Sequence, residues 1–143
     1  MRIVYRSMAI TLAALGPSGR ALAAPVETVL YGFNVDSNGY APVASLIADN
    51  QGALYGTTAG RGATLRGTGY GTVFKLTPPA KGQMAWTETV LYSFTGGSDG
   101  FYPLAGLIAD KEGALYGTTQ VGGNSSNGTV FKLTLGERLF EEK

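Results

Sequence analysis

The chain has 143 residues, about the length of one domain, of which 44% are hydrophobic and only 15% are charged. Its 22 glycines favour short strands joined by many turns. The sequence contains no cysteine and no histidine. Their absence excludes disulfide bonds, Ser-His-Asp and Cys-His catalysis, and a zinc site with its usual ligands.

The first 23 residues predict a secretory signal peptide. They begin with a positive charge at Arg2, continue with a short apolar run over residues 8–15 and end in the cleavage motif Ala21-Leu22-Ala23. The apolar run is too short to cross a bilayer, and the alternative interpretation is a helical cap on the domain. We expect cleavage after Ala23. The mature chain, residues 24–143, would then have no membrane span and would be exported to the periplasm, the cell surface or the medium.

Cleavage would also change the charge balance. It would remove three arginines, so that Lys plus Arg would fall from 11 to 8 against 10 acidic residues. Because the chain has no basic stripe, we expect no nucleic-acid partner.

The mature chain begins with a series of short strand-like segments. Residues 27–33 (ETVLYGF) are rich in β-branched and aromatic side chains and predict a strand. After a polar turn, residues 46–49 and 53–58 predict two short strands that form a hairpin. The tight turn Asp49-Asn50-Gln51-Gly52 joins them, with Asp and Gly at the positions that such turns favour.

A Gly-rich stretch and a further strand complete this unit. Residues 59–70 predict a loop, and residues 72–77 (TVFKLT) predict a strand. Alternation along that strand places Phe74 and Leu76 on one face and Val73 and Lys75 on the other.

The same unit then occurs a second time. Residues 27–58 align without gaps on residues 88–119, with 21 of 32 positions identical, and GTVFKLT occurs at both 71–77 and 128–134. The copies differ in length only between GTT and GTVFKLT, where loops absorb such changes. We therefore divide the mature chain into repeat one (27–87), repeat two (88–134) and a tail (135–143).

These patterns predict an all-β fold made of two four-stranded antiparallel blades of the β-propeller type. Two blades cannot close a ring, because propellers usually have four to eight. One blade face would then be open, and we expect it to be lined by Val29, Tyr31, Phe33, Leu46, Leu54 and Val73. The chain should therefore form an oligomer that completes the propeller, collapse into a sandwich, or be a fragment of a longer repeat protein.

The repeat resembles the GloVer tandem-repeat family, whose unit reads ETVLYSF…GLIAD..G.LYGTT…GG…GTVFKLT. The resemblance covers residues 27–134. It implies an exported β-propeller-like protein at the cell surface or outside the cell, in a family whose members often carry a C-terminal anchor of varying kind. It implies no enzymatic activity.

Paired carboxylates are the sharpest enzymatic hypothesis, because glycoside hydrolysis uses two of them. Asp49 and Asp110 occur at matched positions, as do Glu27 and Glu88. Since each belongs to the repeat pattern, we interpret them as turn and strand-end residues. The polar turns at Asp36 and Asp99 do not match a calcium-binding loop, and we interpret them as solvated turns. We predict that the chain is not an enzyme and has no cofactor or metal.

Binding is the remaining class of function. Tyr40, Phe101 and Tyr102 lie beside polar turns, and Asp99 precedes two of them. Aromatic rings stack on sugars and acids accept hydrogen bonds from hydroxyl groups, so these four residues are the candidate ligand-binding residues. Alternatively, the aromatic side chains pack between blades. We predict a structural or binding module, with an oligomer-completed, glycan-binding lectin-like module as the alternative.

Overall fold

Seven short strands form two antiparallel sheets in a computed structural model, which describes residues 24–34, 39–60 and 69–136. The strands are β1 (Ile47–Ala48), β2 (Leu54–Thr58), β3 (Thr72–Thr77), β4 (Thr87–Ser93), β5 (Ile108–Ala109), β6 (Leu115–Thr119) and β7 (Thr129–Leu133). The first sheet has the order β1-β2-β3-β4 and the second has the order β5-β6-β7. The predicted all-β fold is thus confirmed.

Several predicted features lie outside the described residues. They are the signal peptide, most of the Gly-rich loop, the turn that contains Asp36 and most of the tail. Among the residues that the structure does describe, there is no helix of the length and apolar character needed to cross a membrane.

The predicted hairpin forms in both repeats. In repeat one, the Asp49 amide donates to the Ala53 carbonyl (3.0 Å) and the Gly52 amide donates to the Asp49 carbonyl (3.1 Å). Gly52 has a φ of 82°, which a side chain would strain. Asp110, Gly113 and Ala114 make the same two bonds in repeat two. The turn therefore sets the register of β1 on β2 and of β5 on β6.

The register of β2 on β3 separates two faces of the first sheet. Tyr55, Thr57 and Val73 share what we call the inner face, whereas Leu54, Gly56, Phe74 and Leu76 share the outer face. The prediction that Phe74 and Leu76 lie opposite Val73 and Lys75 is confirmed.

The fourth strand of the first sheet comes from repeat two. On β3, Leu76 lies opposite Glu88 and Thr77 lies opposite Thr87 of β4. The predicted strand over residues 27–33 is wrong, because β4 already occupies the edge of β3 and the segment joins neither sheet. The second sheet therefore has three strands, and the prediction of two four-stranded blades is corrected to sheets of four and three.

The core lies between the two sheets. Tyr55 and Val73 from the inner face of the first sheet form one buried cluster with Phe94, Leu107 and Leu115. Thr57, also on the inner face, donates a hydrogen bond from its hydroxyl to the Pro103 carbonyl (2.9 Å). The sheets are therefore stacked face to face. Within the described residues they do not close into a ring, and the propeller type of the blades stays a prediction.

Matched residues of the two repeats differ sharply in burial. Val73 is 0% exposed under the second sheet, whereas its counterpart Val130 is 82% exposed. The expectation that Val73 lines an open face together with Leu54 is wrong, because the register places the two residues on opposite faces of the sheet. The same motif is thus core in one repeat and surface in the other.

This difference predicts unequal effects of one substitution. Val73→Ala should lower the free energy of unfolding by about 2 kcal/mol, since it removes two buried methyl groups and leaves a cavity. Val130→Ala is the matched control and should change it by less than about 0.5 kcal/mol in dilute solution. Urea denaturation of the mature chain measures both, and equal losses would contradict the described stacking.

Candidate functional site

A cleft of about 220 Å³ opens between β4 and β7, and we call it the β4–β7 cleft. Its apolar part includes Phe94 and Phe131, whose rings meet edge to face with centroids 5.2 Å apart. Its polar part includes Tyr92, Asp99 and Lys132. A cleft lined by aromatic rings and a carboxylate has the composition of a binding site for a small polar ligand.

Asp99 accepts four hydrogen bonds, three from its own turn and one from Tyr92 in β4. Its Oδ2 accepts from the Tyr92 hydroxyl (2.9 Å) and the Thr95 amide (2.8 Å). Its Oδ1 accepts from the Thr95 hydroxyl (2.6 Å) and the Gly97 amide (3.3 Å). These bonds occupy both carboxylate oxygens, so the turn after β4 is built around this side chain.

The hydrogen bond between Tyr92 and Asp99 also shifts the pKa values of these two residues, which line the cleft. Partial burial alone would raise the pKa of Asp99, but the hydrogen bonds from Thr95 and Tyr92 outweigh burial and hold the pKa below its ordinary value of 3.8. Burial, the hydrogen bond to Asp99 and the Asp99 charge all raise the pKa of Tyr92. At neutral pH the pair is therefore a carboxylate bound to a neutral phenol.

Phe101 and Tyr102 belong to a group of three aromatic rings. Phe101 meets Tyr70 at 5.4 Å and Tyr102 at 5.0 Å, both edge to face. The Tyr102 amide donates to the Tyr70 carbonyl (2.9 Å). Phe101 is half-buried and Tyr102 is exposed, so Tyr102 is the ring that a ligand could reach.

Tyr40 lies in the other repeat. It forms an isolated antiparallel bridge with Gly60, and its ring covers the Gly60 Cα, where a Cβ would collide with it. Asp99 contacts Tyr92 and Thr95, whereas Phe101 and Tyr102 contact Tyr70. The Tyr70 ring also lies against Gly96 of the Asp99 turn, so Asp99, Phe101 and Tyr102 are near one another, whereas Tyr40 contacts Gly60 in the other repeat. The role of these four residues in ligand binding stays a prediction.

Asp49 and Asp110 make matched contacts in their own hairpins. Asp49 accepts from the Ala53 amide (2.9 Å) and the Tyr55 hydroxyl (2.9 Å). Asp110 accepts from the Ala114 amide (2.8 Å) and the Tyr116 hydroxyl (2.7 Å). The Tyr116 bond is the main cause that lowers the pKa of Asp110 below 3.8. In both repeats the carboxylate fastens the turn to the following strand.

The second predicted acid pair also differs from a catalytic arrangement. Glu88 lies in β4 and its Oε2 accepts a hydrogen bond from the Tyr31 hydroxyl (3.1 Å), whereas Glu27 is exposed outside any strand. Across residues 24–34, 39–60 and 69–136, no group of three or more acidic side chains is arranged to hold a metal ion.

Sequence reasoning missed Tyr70 and Tyr92 as neighbours of the candidate residues. Tyr92 belongs to the repeated ETVLY motif, and its spacing to the polar turn was a usable signal. Tyr70 stands where repeat two has Asn127, so comparison of the repeats gave no signal for it.

Comparison with known proteins gives one family. The model of a family described as the Gloeobacter/Verrucomicrobia repeat matches residues 15–141, which include both repeats. No curated protein and no solved structure matches the chain.

The lowered pKa of Asp99 predicts a pH dependence of stability. The ionised carboxylate stabilises the fold above the ordinary pKa of 3.8, and this stabilisation is lost as the pH falls through the lower folded-state pKa. Asp99→Asn should therefore be less stable than the wild type at pH 7, and the difference should shrink towards about pH 3. Urea midpoints at both pH values measure it. Ser98→Ala, an uncharged exposed neighbour, serves as control and should differ from the wild type equally at both pH values.

Proposed function

The chain belongs to the Gloeobacter/Verrucomicrobia repeat family, and from this premise we propose an exported, non-enzymatic repeat module of the β-propeller type. Its role is structural or binding, at the cell surface or outside the cell. The sheets of four and three short antiparallel strands, stacked face to face, support the propeller type.

The matched turns of Asp49 and Asp110 carry the non-enzymatic part of the proposal. Each carboxylate accepts hydrogen bonds from a backbone amide and from the tyrosine hydroxyl at the second position of the following strand. A carboxylate that attacks or protonates a substrate must have an oxygen directed at that substrate. Here both oxygens of both residues already hold the fold, which supports a structural assignment.

The export part is supported by the signal-like start of the sequence. A charged start, a short apolar run and the motif Ala21-Leu22-Ala23 occur in the order that a signal peptidase substrate requires.

Export predicts a defined N-terminus. Full-length chain produced in a secreting bacterial host should be recovered outside the cytoplasm with Ala24 as its first residue, measured by fractionation and intact mass. Ala23→Arg should block cleavage because the peptidase needs a small residue there, whereas Ala24→Ser should be processed normally. Uncleaved wild-type protein confined to the cytoplasm would contradict export.

A carbohydrate-binding module is the second candidate. Tyr92 and Asp99 line the β4–β7 cleft, and the exposed Tyr102 ring lies on the loop that follows Asp99. Exposed aromatic rings stack on the apolar faces of sugars. The exposed Tyr102 ring and the nearby cleft are the two observations that favour this candidate.

One glycan panel tests both candidates. The structural proposal expects neither binding nor release of reducing sugar by the mature chain. The lectin candidate expects binding that Tyr102→Ala weakens and that Met84→Ala, an exposed apolar control elsewhere, leaves unchanged. Hydrolysis that disappears in Asp49→Asn or Asp110→Asn would overturn the non-enzymatic assignment.

A further inference from the structure

We propose that copies of this chain associate head to tail, with the second sheet of one copy receiving residues 27–33 and the outer face of the first sheet of the next copy. The new interface repeats the interface that already joins the two sheets within the chain. This inference goes beyond the proposed function, because it holds whether or not the chain is exported or binds a sugar.

The edge of the second sheet lacks the strand that the first sheet has. In the first sheet, the ETVLYS segment of β4 pairs along β3. β7 has the same TVFKL sequence as β3, yet within the described residues no strand pairs with its outer edge. An unpaired edge presents a row of amide and carbonyl groups that can pair with another chain.

Residues 27–33 have the sequence that this edge requires. They begin with ETVLY, as the segment at residues 88–92 does, but they are not paired into either sheet. Val29 is 76% exposed and Leu30 is 43% exposed. The segment is therefore a second copy of the β4 sequence without a β3 to pair with.

The segment is also held in the position that such a strand needs. Phe33 packs on Phe74 of the first sheet with centroids 5.0 Å apart, as Phe94 packs on Phe131 of the second sheet at 5.2 Å. The interplanar angles are 66° and 68°. Residues 27–33 thus lie beside the first sheet as β4 lies beside the second sheet.

The open face of the second sheet consists of Ile108, Tyr116, Thr118 and Val130, the counterparts of buried or half-buried residues on the inner face. Ile108 is 69% exposed and Val130 is largely exposed. These two side chains and Tyr116 line a shallow apolar hollow of about 240 Å³. A sheet stacked here would bury them as the second sheet buries Val73 and Tyr55.

The outer face of the first sheet presents the complementary half. Leu46 is 47% exposed, whereas its counterpart Leu107 is 4% exposed between the sheets. Leu46, Leu30 and Val29 line an apolar cleft of about 300 Å³ together with outer-face residues. Phe74 and Leu76 of the outer face are already buried, so the exposed part of this half consists of Leu46, Leu30 and Val29.

In the described residues, the outer face of the first sheet and the open face of the second sheet cannot meet within one copy. Phe33 rests on Phe74, on the outer face, and the second sheet lies against the inner face. The two faces are thus on opposite sides of the first sheet, and a second copy is the partner that carries a matching half. Such an interface joins two different surfaces, so it propagates to a closed ring or a filament.

The register of β3 on β4 fixes the expected pairing between copies. Val73 lies opposite Tyr92 and Lys75 lies opposite Thr89. Transferred to matched positions, Val130 of one copy lies opposite Tyr31 of the next, and Lys132 lies opposite Thr28.

Light scattering behind a sizing column tests the proposal on the mature chain, residues 24–143. We expect multimers whose mass rises with concentration or reaches a ring. Val130→Glu and Val29→Glu should each weaken association at least about tenfold, because each would bury a carboxylate between apolar faces. Met84→Glu places the same charge on an exposed side chain in the β3–β4 connection and should associate like the wild type.

Mixing the two variants decides the geometry. A Val130→Glu copy keeps its outer face and a Val29→Glu copy keeps its open face, so together they should form a one-to-one dimer while each alone stays monomeric. Both variants are at exposed positions, and circular dichroism should give the wild-type spectrum for each. A wild-type monomer at about 100 μM, association that persists in both variants, or no dimer on mixing would each overturn the proposal.

Discussion

The pairing of β4 with β3 is the contact on which the rest of the molecule depends. β4 (Thr87–Ser93) belongs to repeat two in the sequence and to the first sheet in space. The residue that follows it, Phe94, is buried in the core between the sheets. One continuous segment thus completes the first sheet by backbone hydrogen bonds and anchors the second by a buried ring. The repeats are interlocked, because the first sheet contains strands from both repeats, whereas the three described strands of the second sheet all come from repeat two.

The same group of three residues, a glycine and two phenylalanines, packs at each sheet. Gly56 lies opposite Phe74 in the register of β2 on β3, and a Cβ at Gly56 would lie 2.7 Å from the Phe74 Cζ. Gly117 and Phe131 make the same pair in the second sheet, with a distance of 2.5 Å. The glycine leaves room for the phenylalanine ring opposite it. A second phenylalanine, Phe33 or Phe94, then packs edge to face on that ring. This explains why LYGTT keeps its glycine in both repeats.

Local sequence predicted the elements whose geometry is set within a few residues. The hairpin turns with Asp49 and Asp110, the alternation along TVFKLT and the structural use of the acids all follow from turn chemistry and strand period. It could not predict that residues 27–33 would stay outside both sheets or that Val73 and Val130 would differ in burial. Identical segments have identical propensities, and their outcome depends on whether a partner sheet lies beside them. The contact of Tyr70 with Phe101 could not be predicted either, because a tyrosine occurs at this position in one repeat only.

The strained backbone at Ala41 and Tyr102 results from the repeat structure and not from ligand recognition. Ala41 and Tyr102 occupy matched positions and have φ values of 59° and 57°, a region that residues with side chains rarely adopt. Each follows a residue in an isolated bridge, Tyr40 with Gly60 and Phe101 with Val121. Strain of this kind often marks a functional site. Here the same φ occurs with a methyl group in one repeat and a phenol ring in the other, so it depends on the backbone bridges that hold the loop and not on the side chain. The strained conformation therefore belongs to the repeat, and any ligand selectivity at this loop must come from what differs between the copies, the exposed ring of Tyr102 above all.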